Sequence, residues 1–322
     1  MEKSFDHFLL DITQASSFEE IEVIQTLWSG YGKISRYQLT HGNYNSLVVK
    51  YIDGVKPNAH PRGWDTNISH QRKIRSYQIE TDWYEQWSHY CDDNCKVPLF
   101  MGALKEEGRR WIVMEDLNDN YPLRKQNISL NEIEVCLKWL AYFHATFLNQ
   151  SPTQLWPIGT YWHLATRPDE LEQMTHLKLK EKAGLIDSRL NSARYQTFVH
   201  GDAKLANFCF SQAGGKVAAV DFQYVGRGCG MKDVAYFLGS CLSGERCELH
   251  EAQLLGTYFA ELEKALTEKD INVNFNDLEQ EWRQLYPFAC ADFMRFLLGW
   301  MPTHQKINDY SRKKIAAVLI SL

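Results

Sequence analysis

One short segment of the chain combines residue types that could transfer a phosphoryl group. In residues 199–208, Asp202 is followed five positions later by Asn207, between two short apolar runs that resemble strands. Asp221 comes fourteen residues after Asn207, at the end of a further apolar run. A carboxylate can accept the proton of an attacking hydroxyl, while an amide oxygen and a second carboxylate can hold Mg²⁺ between phosphates. Each residue alone suggests a turn or a helix cap, but the three in this order favour phosphoryl transfer.

The spacing from Asp202 to Asn207 equals that of the kinase catalytic loop H-R-D-L-x-x-x-N, whose D-F-G metal site also lies downstream. Lys204 lies between the two residues and joins Asp202, Asn207 and Asp221 as a catalytic candidate. Gln223 stands where D-F-G has its glycine, and no A-P-E element follows. This departure disfavours a protein kinase with a switchable activation loop.

The first third of the chain contains residues suited to an ATP site. Lys50 ends an apolar run, like the phosphate-binding lysine of the V-A-I-K motif. A helix predicted over about 69–90 places Glu80 on a face with three aromatic residues, Tyr77, Tyr84 and Trp87. Burying an unpaired carboxylate would cost several kcal/mol, so we predict that Glu80 pairs with Lys50. The alternative is that Glu80 reaches the surface.

Two backbone segments could complete the nucleotide site. The turn over 40–45, which contains Gly42 and Asn45, could lay N–H groups over the phosphates or could be an ordinary hairpin. Backbone groups of Glu115 and Leu117, after a predicted strand, could hydrogen-bond adenine, which requires no particular side chain.

These motifs resemble the aminoglycoside phosphotransferase/choline kinase superfamily, whose catalytic loop reads H-G-D-x-x-x-x-N. The resemblance rests on HGDAKLANF, VDFQ and the stretch 226–238, and it spans roughly 35–300. Segments 60–64, 70–73 and 76–84 are similar to its ecdysteroid-kinase-like (CHK-kinase-like) branch. The resemblance implies a protein-kinase-like fold that phosphorylates a small-molecule hydroxyl with ATP and Mg²⁺.

The resemblance also implies a role for each matching residue. Asp202 would orient or deprotonate the acceptor hydroxyl, and Asn207 and Asp221 would hold the metal. Lys50 would bind phosphates and pair with Glu80.

Two further residues have roles that stay open at this stage. The resemblance implies that Asp233 stabilises the catalytic loop from the following helix, although it could equally cap a helix that begins near Lys232. His144 lies on the apolar face of its predicted helix, where we expect a core histidine with satisfied hydrogen bonds.

The remaining pattern predicts an α+β protein of two lobes, 1–117 and 118–322. In the first lobe we predict helices over 18–30 and 69–90 and strands over 34–39, 47–52, 100–104 and 110–114. In the second we predict helices over 130–149 and 169–184, short strands at 198–199, 208–210 and 217–221, and helices from Lys232 onward.

Composition narrows the class of protein. The 322 residues are 44% apolar and 23% charged, with a net charge of −5, so a general nucleic-acid binder or a polybasic membrane anchor is disfavoured. No apolar run approaches the length of a membrane span, and the first residues lack a signal-peptide core. We expect a cytoplasmic protein with free thiols and predict no protein partner.

The acceptor stays open at this stage. An aromatic-rich second lobe with acids such as Asp292 could bind a choline-like cation, or its aromatic residues could simply form the core. An aminoglycoside or a steroid-like alcohol is a further possibility. A kinase-fold protein without catalysis, acting as a nucleotide-binding protein or scaffold, is the alternative to an active enzyme.

Overall fold

The structure is a computed structural model that describes residues 4–27, 30–54 and 67–322. The segment 60–64, which contributed to the resemblance, lies outside the described residues. The chain divides into two compact units, the first of residues 1–90 and 97–122 and the second of residues 91–96 and 123–322.

The first unit is built on a five-stranded antiparallel sheet with strand order β1-β2-β3-β5-β4. The strands are β1 (Ser17–Thr26), β2 (Gly32–Thr40), β3 (Ser46–Asp53), β4 (Phe100–Glu106) and β5 (Arg109–Glu115). Two helices accompany them, α1 (Phe5–Thr13) and α2 (Asn67–Gln86). The sequence predicted α2 and the last four strands in place, but it did not predict α1.

The helix predicted over 18–30 is wrong, because this segment forms strand β1 and pairs antiparallel with β2. Its β-branched residues Ile21 and Val23 suit a strand, and each is 50% exposed instead of lying on a buried helix face. Pairing with β2 runs from Ser17 opposite Thr40 to Thr26 opposite Lys33, and an ion pair adds to it, with the Lys33 ammonium 2.6 Å from the Glu20 carboxylate.

The second unit is mainly helical. Its helices are α3 (Leu130–Thr146), α4 (Pro168–Gln173), α5 (Leu177–Asn191), α6 (Met231–Cys241), α7 (Gly244–Glu268), α8 (Phe275–Trp300) and α9 (Asp309–Ser321). Four short strands form two antiparallel pairs, β6 (Thr197–Val199) with β9 (Gly226–Gly228) and β7 (Phe208–Phe210) with β8 (Val217–Ala219). The strand β9 was not predicted from the sequence.

The predicted helix over 169–184 is two helices, α4 and α5. His176 lies between them, and its Nδ1 accepts a hydrogen bond from the Leu179 N–H at 3.2 Å, which starts α5 afresh. The α+β fold class is confirmed. No helix among the described residues is both long and apolar enough to span a bilayer.

Candidate functional site

The Asp202 carboxylate lies in the loop after β6 and accepts hydrogen bonds from three side chains. Lys204 Nζ and Asn207 Nδ2 donate to Oδ2 at 2.9 and 3.2 Å, and the Tyr236 hydroxyl donates to Oδ1 at 3.2 Å. Three of the predicted candidates therefore meet within one loop. These three hydrogen bonds hold the carboxylate in one orientation.

The Asn207 amide is oriented by its own nitrogen. Besides the Asp202 carboxylate, Nδ2 donates to the Asp202 backbone carbonyl at 2.8 Å. Both bonds use the amide nitrogen, so the oxygen Oδ1 points away from Asp202 and meets no hydrogen-bond donor within the part of the chain that the structure describes. An amide oxygen left in this way can serve as a ligand for a hard cation.

The charge on Lys204 is stabilised by the loop. Burial alone would lower the pKa of this ammonium, but the carboxylates of Asp202 and Asp221 outweigh burial and raise the pKa above its ordinary value. Lys204 is therefore a permanent cation beside Asp202 at neutral pH.

Gly201 explains why the loop reads H-G-D. Its φ is +79°, a left-handed conformation that favours glycine. A Cβ placed here would lie 2.1 Å from the Tyr224 carbonyl oxygen and 2.8 Å from the Thr160 nitrogen. Any side chain at this position would displace the backbone that carries Asp202.

Asp233 holds this loop from α6 and does not cap its own helix. Its carboxylate accepts from the His200 N–H at 2.5 Å and from the Gly201 N–H at 3.0 Å. His144 Nε2 lies 3.2 Å from the same carboxylate, and His144 Nδ1 lies 2.8 Å from the Tyr258 hydroxyl. His144 is fully buried and is the satisfied core histidine that the sequence predicted.

His200 connects the loop to the strand end that precedes Asp221. Its Nδ1 accepts the Asp202 N–H at 3.2 Å, and its Nε2 lies 3.0 Å from the Val220 carbonyl oxygen. The two contacts fix one neutral tautomer, with the proton on Nε2. The sequence showed a histidine in the motif without indicating this bridging role.

Asp221 follows β8 with a φ of +71°, a left-handed conformation. The side-chain amide of Gln223 donates to Asp221 Oδ1, so the residue that replaces the glycine of D-F-G orients this carboxylate. The Gln223 backbone carbonyl in turn accepts from Trp156 Nε1 at 2.9 Å. Within the described residues, no group of three or more His, Cys, Asp or Glu side chains is placed to hold a metal ion.

In the first unit, Lys50 and Glu80 form the predicted pair. Lys50 Nζ lies 2.6 Å from Glu80 Oε2, and each side chain is only 2% exposed. Lys50 is on β3 between Ile34 of β2 and Ile112 of β5, while Glu80 comes from α2. A central strand and a helix thus fix the ammonium.

The turn between β2 and β3 is held by its own neighbours. The Asn45 carbonyl accepts from the Leu39 N–H and from Gln38 Nε2, both at 2.8 Å. A Cβ on Gly42 would lie 3.1 Å from the Thr13 carbonyl oxygen, which is tighter than ordinary contact. The turn therefore packs against the end of α1, and its role toward phosphates stays a prediction.

The segment after β5 already uses part of its backbone. The Glu115 N–H donates to the Leu99 carbonyl at 2.9 Å, and the Leu117 carbonyl accepts from the N–H groups of Asn120 and Tyr121. Sequence reasoning missed Asp116, whose carboxylate accepts from Arg36 Nε at 2.6 Å and from the Ser46 hydroxyl at 2.9 Å. Adenine binding by Glu115 and Leu117 stays a prediction.

Two residues beside Asp202 were also missed. Tyr236, on α6, donates to Asp202 as described above, and Lys306 lies over the Tyr236 ring with Nζ 5.0 Å from its centroid. Tyr236 follows Asp233 on the same helix and was visible only as part of the matching stretch 226–238. Lys306 lies about 100 residues from Asp202 in sequence, and no motif marks it.

Comparisons with known proteins were made on the sequence and on the fold. The model of a family described as "uncharacterized oxidoreductase dhs-27" matches residues 169–321, slightly less than half of the chain. No curated protein matches the chain in sequence.

The solved structures that match the chain include two small-molecule kinases. A Plasmodium vivax ethanolamine kinase has 13% identity and a TM-score of 0.50, with 98% of this chain and 87% of that chain covered. An aminoglycoside-3'-phosphotransferase of type VIII has 16% identity and a TM-score of 0.44, with 85% of this chain and 95% of that chain covered. The ethanolamine kinase comparison shows a shared kinase-like fold, which confirms at the level of fold the resemblance seen in the sequence.

Proposed function

We propose that this chain is an ATP-dependent phosphotransferase that phosphorylates a hydroxyl group of a small molecule. The observation that carries the proposal is the Asp202 carboxylate, which Lys204, Asn207 and Tyr236 hold in a loop whose backbone Asp233 fixes. Positioning and charge stabilisation supply most of the catalysis of phosphoryl transfer, and this arrangement provides both.

In the proposed step, the acceptor oxygen attacks the γ-phosphorus of ATP and forms the new P–O bond. The bond from the γ-phosphorus to the bridging oxygen breaks, and ADP leaves with that electron pair. Asp202 accepts the hydroxyl proton, while the adjacent Lys204 ammonium offsets negative charge on the transferring group.

The residues present fit Mg²⁺. This ion keeps several waters and takes one or two protein oxygens besides phosphate oxygens. The Asn207 amide oxygen, whose own nitrogen is the atom bonded to Asp202, and the Asp221 carboxylate would supply those protein ligands. When bound, Mg²⁺ would neutralise charge on the β- and γ-phosphates.

Lys50 would bind ATP phosphates from the first unit, with Glu80 setting the position of its ammonium. The turn with Gly42 and Asn45 would cover the phosphates, and backbone groups of Glu115 and Leu117 would face adenine. All of these contacts with ATP are part of the proposal.

The family description names an oxidoreductase, but the geometry supports phosphotransfer better. Dinucleotide-binding folds place the cofactor at the carboxyl ends of parallel strands. The named strands within the matched residues 169–321 pair antiparallel instead, three residues at a time. The loop from β6 to β7 carries the Asp202 carboxylate and the Asn207 amide.

The test is ³¹P NMR of the protein with Mg-ATP and pooled alcohols: choline, ethanolamine, sugars, aminoglycosides, sterols and hydroxy acids. We expect a new phosphomonoester signal that requires Mg²⁺. In Asp202→Asn, turnover should fall by about 10²- to 10⁴-fold while ATP affinity changes little. Asp187→Asn, a half-buried aspartate on α5, is the matched control and should keep wild-type turnover. Equal turnover in Asp202→Asn would remove Asp202 from the mechanism.

A further inference from the structure

Lys306 is an ammonium that lies on aromatic rings beside the proposed catalytic carboxylate. It is in the loop between α8 and α9, and its Nζ is 5.0 Å from the centroid of the Tyr236 ring and 5.4 Å from that of Phe293. The Tyr236 hydroxyl donates to Asp202 Oδ1 at 3.2 Å. Lys306 and Asp202 are therefore separated by a single aromatic ring.

Lys314, in the same unit, has similar ring contacts and also the carboxylate partner that Lys306 lacks. Lys314 also lies over two rings, those of Tyr286 and Tyr310, at 5.4 and 5.2 Å. Its ammonium is neutralised by Glu251, with Nζ 2.5 Å from Oε1. Among the described residues, no carboxylate lies within 4.0 Å of Lys306 Nζ.

The ring contacts offset only part of the cost of burying the Lys306 ammonium. Burial lowers the pKa of this ammonium to about 8, although the nearby Asp202 carboxylate acts in the opposite direction. A pKa of about 8 leaves the group mostly protonated at neutral pH. A partly buried cation with no carboxylate in ion-pair contact is the state that an incoming anion would stabilise.

The acid that could have attracted a cationic acceptor is already neutralised. Asp292 is fully buried, and its carboxylate accepts from Trp162 Nε1 at 3.0 Å and from Arg295 Nη2 at 2.9 Å. Of the aromatic residues that suggested a choline-like acceptor, Trp162, Trp282 and Tyr286 are core residues with at most 2% exposure. The cation–π position on Tyr236 and Phe293 is taken by Lys306 itself.

We propose that Lys306 binds an anionic group of the acceptor, so that the acceptor is a hydroxy acid with its carboxylate at Lys306 and its hydroxyl at Asp202. This inference rests on the proposed phosphotransferase function and specifies its substrate class. An acceptor with an ammonium group would meet like charge at Lys306, which selects against amino alcohols and aminoglycosides.

The first measurement is binding, which does not depend on turnover. Saturation-transfer NMR would compare ω-hydroxy acids of two to six carbons and 4-(hydroxymethyl)benzoate with the amine and the amide of the same skeleton. We expect at least one acid to bind tenfold or more tightly than its amine. In Lys306→Gln this preference should disappear, and in Lys306→Glu it should reverse. Lys314→Gln removes a lysine from similar rings and should leave the preference unchanged.

The second measurement is phosphorylation of the same compounds with Mg-ATP. Phosphorylation of acids over amines, lost in Lys306→Gln at unchanged ATP affinity, would support both proposals. If acids bind through Lys306 but no alcohol is phosphorylated, the phosphotransferase fails and the anion site stands. If amines are phosphorylated as well as acids, the phosphotransferase stands and this inference is overturned. An absence of any acid preference in wild-type binding, or an unchanged preference in Lys306→Gln, would also overturn it.

Discussion

The two units each contain a lysine bonded to a carboxylate, and the two pairs differ in exposure and in how the chain forms them. Lys50 and Glu80 come from a strand and a helix 30 residues apart, and each side chain is 2% exposed. Lys204 and Asp202 are two residues apart on one loop, where the lysine is 38% exposed and the aspartate 8%.

This difference indicates different tasks. In the buried pair the two charges compensate each other, and the pair fixes the position of the ammonium at the expense of desolvation. In the loop pair the lysine remains open to solvent and the carboxylate has two further donors, Asn207 and Tyr236. In the proposed function, the first arrangement would give a fixed contact to phosphates, and the second would give a carboxylate that an incoming acceptor can reach.

The largest effect should come from breaking the buried pair. Lys50→Met removes the ammonium that lies 2.6 Å from the buried Glu80 carboxylate, and we expect the free energy of unfolding to fall by about 3–5 kcal/mol. Lys204→Met removes an exposed cation and should cost roughly 0–1 kcal/mol. Urea unfolding at pH 7 measures both.

The double variant Lys50→Met with Glu80→Leu is the control for this prediction. It removes both charges at similar volume, so much of the stability should return. Equal losses in Lys50→Met and Lys204→Met would mean that the two pairs do not differ in desolvation.

The buried pair is also the part of the candidate site that sequence reasoning predicted best. Glu80 lies on an α2 face with buried Tyr77 and Tyr84, and a carboxylate there requires a partner. The order of Asp202, Asn207 and Asp221 likewise predicted the loop, because a short local motif determines its own geometry. Strands β2 to β5 were predictable from apolar runs separated by turns.

Other features depend on contacts that sequence spacing does not reveal. Strand β1 reads as a helix by periodicity, and only its pairing with β2 makes it a strand. The positions of Lys306 over Tyr236 and of Asp116 beside Arg36 join residues far apart in the chain. These depend on how the helices and strands pack, so a single sequence does not predict them.

Removing a lysine that has no carboxylate in ion-pair contact should stabilise the protein, which is opposite to the effect of removing Lys50. The pKa of Lys306 is lowered to about 8 by burial, so the unfolded chain binds more protons than the folded chain between about pH 8 and 10.5. Stability therefore rises with pH across this window. Lys306→Met should stabilise the protein by roughly 1–3 kcal/mol at pH 7, and the gain should vanish near pH 10.5.

Urea unfolding of Lys306→Met from pH 7 to 10.5 measures this effect. The titratable and charged groups that face Lys306 are Asp202, Lys204, Tyr236, Cys241, Cys247 and His304, and they are shared by wild type and variant. Lys314→Met is the control, since it loses the ion pair with Glu251 and should not stabilise the protein at pH 7. A destabilised Lys306→Met at pH 7 would mean that the ring contacts outweigh the cost of burial.

The smallest effect should come from substituting Gln223, which orients the Asp221 carboxylate in the second unit. Gln223→Gly restores the D-F-G sequence but removes the amide that donates to Asp221 Oδ1. The bond from Trp156 uses the Gln223 backbone carbonyl and survives the substitution, so the strand end should keep its place. Asp221 would lose the donor that orients Oδ1, and we expect a three- to tenfold rise in the Mg²⁺ concentration for half-maximal turnover, about 0.6–1.4 kcal/mol. Gln223→Glu tests charge separately from orientation, because it adds a carboxylate beside Asp221. If a cation binds there, this variant should lower the Mg²⁺ concentration for half-maximal turnover. Identical Mg²⁺ dependence in wild type and both variants would exclude Asp221 as a metal ligand positioned by Gln223.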